Sequence, residues 1–292
     1  VGKIANNGFT GITLTETQFN TLVGSSLAKL AADSVTMGEA VSVTSKANVL
    51  LQGAKIADGG ITSITITAAE LNTFVSANSA DPFASASIEL GAVSDNQAAV
   101  VTNIAKVKSG GITTITLSET QFNTIVSANA AKLDADGVTI GSVSGTSKAN
   151  VLAQGAKIAN DGITAITITD AELNTFIGAN TNAPLKDASV TLGNVTGNQA
   201  LVITNIAKVV NGGITAITAS ASQAATLVGS AAKLGSGALT VNTAVTDSTE
   251  AGNLITNIAK VASAGLEEIT LTQTQFNLSL IHISEPTRRR GI

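Results

Sequence analysis

Residues Ile61–Val75 read ITSITITAAELNTFV, and the fold turns on this stretch. Its first half sets Ile61, Ile64 and Ile66 against Ser63, Thr65 and Thr67, the alternation of a half-buried strand rich in β-branched residues. Its second half opens on Thr67 and, three residues later, Glu70. That pair is a helix-start box: the hydroxyl accepts from the later backbone N–H, and the carboxylate reaches back to the first. Leu71, Phe74 and Val75 then share one helical face. The predicted unit is a strand that runs directly into a helix.

The unit recurs. The strand pattern starts again at Phe9 in degenerate form and at Ile112, Ile163, Ile214 and Leu266, at spacings of 51 or 52 residues. The helix-start box recurs in phase as Thr15 with Gln18, Ser118 with Gln121, Thr169 with Glu172, Ser220 with Gln223, and Thr272 with Gln275. Half a period later lie second extended segments around Val35–Met37, Ile88–Leu90, Val138–Ile140, Val190–Leu192 and Leu239–Val241. A second helix is predicted after each, for example over Asn96–Lys108, with Val100, Val101, Ile104 and Val107 on one face and Gly110–Gly111 as its stop. Residues 46–78 and 148–180 are nearly identical at an offset of 102, so a two-repeat block has been duplicated.

One strand–helix module of about 25 residues buries too little apolar surface to stand alone, so its neighbours must complete its core. Strand–helix–strand connections favour parallel pairing with right-handed crossovers. Strands stack about 4.8 Å apart and helices about 10 Å apart, so a sheet backed by helices has to curve. The expected fold is therefore an α/β strand–helix solenoid, a curved stack with the parallel sheet on the concave side and the helices on the convex side. It is expected to span residues 1–277 as a single domain, a fragment uncapped at both ends that self-associates through its end faces.

The chain has 292 residues, 44% of them hydrophobic, with no Cys, Trp or Tyr. It contains no apolar run long enough to span a bilayer. All three Arg (Arg288, Arg289 and Arg290) and the only His (His282) fall within residues 278–292. Residues 278–288, LSLIHISEPTR, look like the in-frame translation of a transposase sequencing adapter, so residues 278–292 are expected to be non-native. Residues 1–277 then carry 13 Lys against 19 Asp and Glu, a net charge of −6. An acidic body without Arg argues against a nucleic-acid partner.

Candidate chemistry is sparse. With the tail set aside there is no His or Cys, so histidine triads and cysteine nucleophiles are excluded, and no catalytic residue, metal site or cofactor is expected. Asp134-x-Asp136-Gly137 begins like a calcium loop but lacks the twelfth-position Glu, and a turn before the next strand accounts for it. Recurring Asn20, Asn72, Asn123 and Asn174 suggest a polar ladder between modules. The candidate ligand face is the outward side of the strands: Ser63, Thr65, Thr67, Thr114, Thr116 and Thr167, with Thr114, Thr116 and Ser118 expected to extend the hydroxyls of the preceding copy into a ladder. Thr15, Thr67, Ser118, Thr169, Ser220 and Thr272 are expected as structural helix caps.

Ile61-x-x-Ile64-x-Ile66 resembles the L-x-x-L-x-L strand of leucine-rich repeats. The whole arrangement of strand, box, helix and V-T-[IL] strand resembles repeats of large secreted bacterial surface proteins of the adhesin and repeats-in-toxin kind. That resemblance implies an extracellular or cell-surface location and a structural or adhesive role in a larger protein, with protein or glycan on a surface as the partner. The alternative is a ligand-binding solenoid that recognises protein or glycan through its Ser/Thr-rich strand face.

Overall fold

The computed structural model describes residues 2–42, 46–78, 81–145 and 147–277. The expected features of residues 278–292, including His282 and Arg288–Arg290, lie outside the described residues. The chain is mixed α/β and forms two compact units: Val1–Gly141 with Ala149–Ala159, and Ser142–Lys148 with Asn160–Ile292.

In the first unit the order is β1 (Ile12–Leu14), α1 (Glu16–Ser26), β2 (Val35–Met37), α2 (Lys46–Leu51), β3 (Ile64–Thr65) and α3 (Ala68–Ala77). It continues with β4 (Ile88–Glu89), β5 (Gly91–Val93), α4 (Gln97–Thr102), β6 (Ile112–Thr116), α5 (Glu119–Asn129) and β7 (Val138–Thr139). The chain crosses between units within β8 (Gly141–Val143) and α6 (Lys148–Ala153). The second unit contains β9 (Ile163–Thr167), α7 (Asp170–Ala179), β10 (Val190–Thr191), β11 (Gly193–Val195), α8 (Gln199–Thr204) and β12 (Ile214–Ala219). It ends with α9 (Ala221–Val228), β13 (Leu239–Val241), α10 (Ser248–Thr256) and β14 (Val261–Leu266).

Strands pair in chain order. β5-β6-β7 forms one sheet of the first unit and β11-β12-β13-β14 one of the second, with β1-β2, β3-β4 and β8-β9-β10 as further sheets. The registered pairings are parallel. The alternation read from Ile61–Thr67 is realised: Ile61, Ile64 and Ile66 are buried while Ser63, Thr65 and Thr67 are exposed. Helix residues Phe19, Leu71, Phe74, Phe122, Leu173 and Phe176 are buried as well. Apolar burial of this kind, shared between strand and helix, is the main favourable term in the fold.

The second helices are shorter than expected. The predicted helix Asn96–Lys108 is in fact α4 followed by a 3₁₀ turn at Ile104–Lys106. Asn103 stands at the break with φ −102° and ψ 19°, and both its backbone N–H and its Nδ2 donate to the carbonyl of Ala99, at 3.1 and 2.9 Å. Gln52 and Gln154 take the same backbone turn after α2 and α6. Asn205 repeats the Nδ2 bond against Leu201 after α8, also at 2.9 Å. Gly110–Gly111 is accordingly no helix stop. Gly110 sits at φ 64° in the turn that leads into β6.

That turn holds a device present once per module. Asp33, Ala86, Gly110 and Asp136 in the first unit, and Asp161, Ala188, Gly212 and Gly237 in the second, all have left-handed backbones with φ between 51° and 69°. Each donates its N–H forward, to Ala54, Ala105, Ala131, Ala156, Ala183, Ala207, Ala232 and Ala259 respectively, at 2.8 to 3.1 Å. The left-handed conformation turns the N–H out of its own module and onto the next.

Candidate functional site: the hydroxyl-bearing strand face

The six candidate residues are placed by two elements each, a strand that fixes alternation and a helix start that fixes where the strand ends. Thr67, Ser118, Thr169 and Ser220 are N-caps: their hydroxyls accept from the N–H of Glu70, Gln121, Glu172 and Gln223 at 3.1, 3.2, 3.1 and 3.3 Å. In return the four longer side chains accept from the cap N–H at 2.8, 2.9, 2.8 and 3.0 Å. Thr15 with Gln18 and Thr272 with Gln275 form the same box. Thr67 is therefore a cap and an exposed strand-face residue at once.

Ser63, Thr65, Thr67, Thr114, Thr116 and Thr167 are all exposed. They do not form the expected ladder from β3 to β6, because β4 and β5 intervene in the chain and take the neighbouring positions. Thr65 lies opposite Glu89, Thr114 opposite Ala92, and Thr116 opposite Thr139. The hydroxyl rungs that do form join adjacent strands of one repeat: Thr13 with Thr36, Thr116 with Thr139, Thr167 with Thr191, and Thr218 with Thr240. Glu89 breaks the series and pairs with Lys108 at 2.6 Å. The sequence showed the face and the alternation of strands, but not which side chains stand opposite one another across it.

On this face of the first unit lies a shallow depression of about 300 Å³, lined by Ser94, Thr114, Thr116, Thr139 and the Asp136 turn among others. Its polar groups are hydroxyls and one carboxylate, donors and acceptors without a nucleophile–base pair. Hydrogen bonding to a polyhydroxylated surface is within its chemistry. Among the described residues no group of three or more His, Cys, Asp or Glu could hold a metal ion. In the Asp134–Gly137 turn Ala135 donates its N–H to Asp134 Oδ1 at 2.9 Å, while the N–H groups of Asp134 and Asp136 go to the carbonyls of Ile112 and Ala156. Among the described residues no helix is long and apolar enough to cross a membrane.

The helix side is tied by polar links that sequence reading caught only in part. Asn48 donates to Asn20 at 2.9 Å, and Asn150 donates to Asn123. At the repeat offset of 51, Ala99 and Leu201 stand where Asn48 and Asn150 do, so the amide pair belongs to alternate repeats, and the continuous ladder through Asn72 and Asn174 is corrected to this. Lys46 pairs with Glu70 and Lys148 with Glu172, both at 2.9 Å. Desolvation pushes the Glu70 carboxyl up, but the Thr67 N–H bond and Lys46 outweigh it and hold Glu70 below its ordinary value. Glu172 is lowered against the same opposing desolvation by Thr169 and Lys148.

Two sets of linking residues were missed. The 3₁₀ turns end in lysines that donate to the carbonyl of a residue 23 to 26 positions earlier: Lys55 to Leu30, Lys106 to Phe83, Lys157 to Leu133, Lys233 to Val209 and Lys260 to Leu234, at 2.6 to 3.0 Å. The available signal was the tripeptide Ala-Lys-[LIV], which occurs eight times. Asp170, 4% exposed at the start of α7, accepts from the Gly197 N–H at 2.8 Å. The available signal was an acid directly after the cap in three of the copies, as Glu16, Glu119 and Asp170. Glu16 is likewise buried and accepts from the Ser42 N–H at 3.1 Å.

Comparison with protein-family models, with curated proteins and with solved structures finds no match to this chain.

Proposed function

We propose that this chain is a structural or adhesive repeat segment of a large extracellular or cell-surface bacterial protein, a stretch of strand–helix solenoid in each unit and not an enzyme. One observation carries this: the recurring polar groups serve the neighbouring module. Left-handed N–H groups, 3₁₀ lysines and box glutamates all bond a part of the chain roughly one module away. Side chains engaged in propagating an array are what a spacer needs, and terminal modules apart, such an array gains stability from each nearest-neighbour interface. The acidic, Cys-free composition of residues 1–277 accords with a secreted surface protein. An antibody raised against this chain should label intact bacteria that carry it. Labelling confined to permeabilised cells overturns the surface assignment.

A ligand-binding role is the alternative, favoured by the hydroxyl-lined depression around Thr114, Thr116 and Thr139. The occupant would be a surface glycan or protein that exchanges hydrogen bonds with the hydroxyl rungs. Glycan-array binding that disappears on combined Thr114→Ala, Thr116→Ala and Thr139→Ala substitution supports it. Absence of binding to any array glycan leaves the structural role standing alone.

A further inference from the structure

Asp81-Pro82-Phe83 in the first unit and Ala183-Pro184-Leu185 in the second occupy the same place in the 102-residue period. They interrupt the lysine series, with proline standing immediately before the bridge residue that pairs with Ile61 or Ile163. What they place against the preceding helix differs. In the first unit Phe83 is 2% exposed, and its ring lies 4.7 Å from that of Phe74, centroid to centroid, tilted by 53°. That is a favourable aromatic geometry. In the second unit Phe176 holds the place of Phe74 and is likewise 2% exposed, but Leu185 stands where the second ring would be.

A cavity of about 110 Å³ is found there, lined by the apolar Phe176, Ile177, Ala183, Pro184 and Leu185 and by the polar Asn180, Asn182, Asn205 and Lys208. Its walls are predominantly carbon. Lys208 adds no unbalanced positive charge, because it pairs with Asp187 at 2.9 Å and lies 3.9 Å from Asp161. An anion in the cavity would compete with Asp187 and Asp161 for that one ammonium. A neutral ring meets none of that cost, and apolar cavities of about 150 Å³ lined by Leu, Ile and Phe accept benzene.

We propose that the cavity beside Phe176 is a binding site for a single uncharged aromatic ring of phenol size, which packs on Phe176 as Phe83 packs on Phe74. The first unit carries its own occupant as a side chain, and the second takes it from solution. The site is independent of the surface role proposed above.

Titration of the full chain with phenol, followed by NMR of labelled Ile and Leu methyls, tests it. Saturable shifts at Ile177 and Leu185 with one phenol per chain are expected. Leu185→Phe fills the cavity from within and should abolish them, while Phe83→Leu should open the equivalent site and raise the stoichiometry from one to two. Absence of saturable shifts in the parent chain, shifts that persist in Leu185→Phe, or a stoichiometry of one in Phe83→Leu overturns the site. Benzoate binding as tightly as phenol overturns the preference for an uncharged ring.

Discussion

Ala188 donates its backbone N–H to the carbonyl of Ala207 at 2.9 Å from a left-handed conformation with φ 53°. Other modules place Gly or Asp at the equivalent position, as in Gly212 and Asp136. An alanine Cβ in that region crowds its own backbone, and glycine does not. Ala188→Gly should therefore stabilise the second unit by about 0.5–1 kcal/mol in chemical denaturation. A loss of stability would remove the left-handed turn from the account of how modules connect.

Thr169 caps α7 through the N–H of Glu172 at 3.1 Å, and Glu172 answers through the N–H of Thr169 at 2.8 Å. Thr169→Ala leaves a helix-start donor without its acceptor and should cost roughly 0.5–2 kcal/mol. Thr169→Ser keeps the acceptor and should be close to neutral. Equal losses for the two substitutions would show that the methyl group, and not the cap, matters at this position.

Lys233 donates to the carbonyl of Val209 at 2.6 Å, while Lys186 is exposed. A bond from a charged donor to a half-buried carbonyl is worth more than a surface contact, so Lys233→Met should cost roughly 1–2 kcal/mol. Lys186→Met should stay within about 0.5 kcal/mol. If urea denaturation gives equal effects at both positions, the lysine series contributes nothing to module register.

Glu70 and Glu172 have carboxyls lowered from an ordinary value of 4.5. A group whose folded value is depressed binds fewer protons folded than unfolded near that pH. Its contribution is complete above the unfolded value and is lost as pH falls through the lower folded one. Thermal midpoints should hold down to about pH 5 and decline below it. Glu70→Gln with Glu172→Gln should flatten that decline. An unchanged acid profile in the double variant would assign the acid sensitivity to other carboxylates.

How much was legible depends on the separation of partners. The box pairs sit three residues apart, and strand alternation has a period of two, so Thr67 with Glu70 and Ile64 with Thr65 could be read from the order of residues alone. The break at Asn103 was harder, because the apolar periodicity of Val100, Ile104 and Val107 continues through it and hides it. Thr65 was read as exposed, and it is; that Glu89 stands across from it depends on the register of β3 with β4, which the repeat period does not give.

The order of residues by itself settled the module, its strand and helix starts, its buried isoleucines and its exposed hydroxyls, because each of these follows from contacts within a few residues. Only the tertiary structure decided that Lys233 reaches Val209, that Glu89 stands across from Thr65, and that a ring fills the space beside Phe74 while a cavity remains beside Phe176. Those outcomes depend on which atoms of one module come to rest against the next, and that register is set by packing across some two dozen residues, a distance over which local preference has no say.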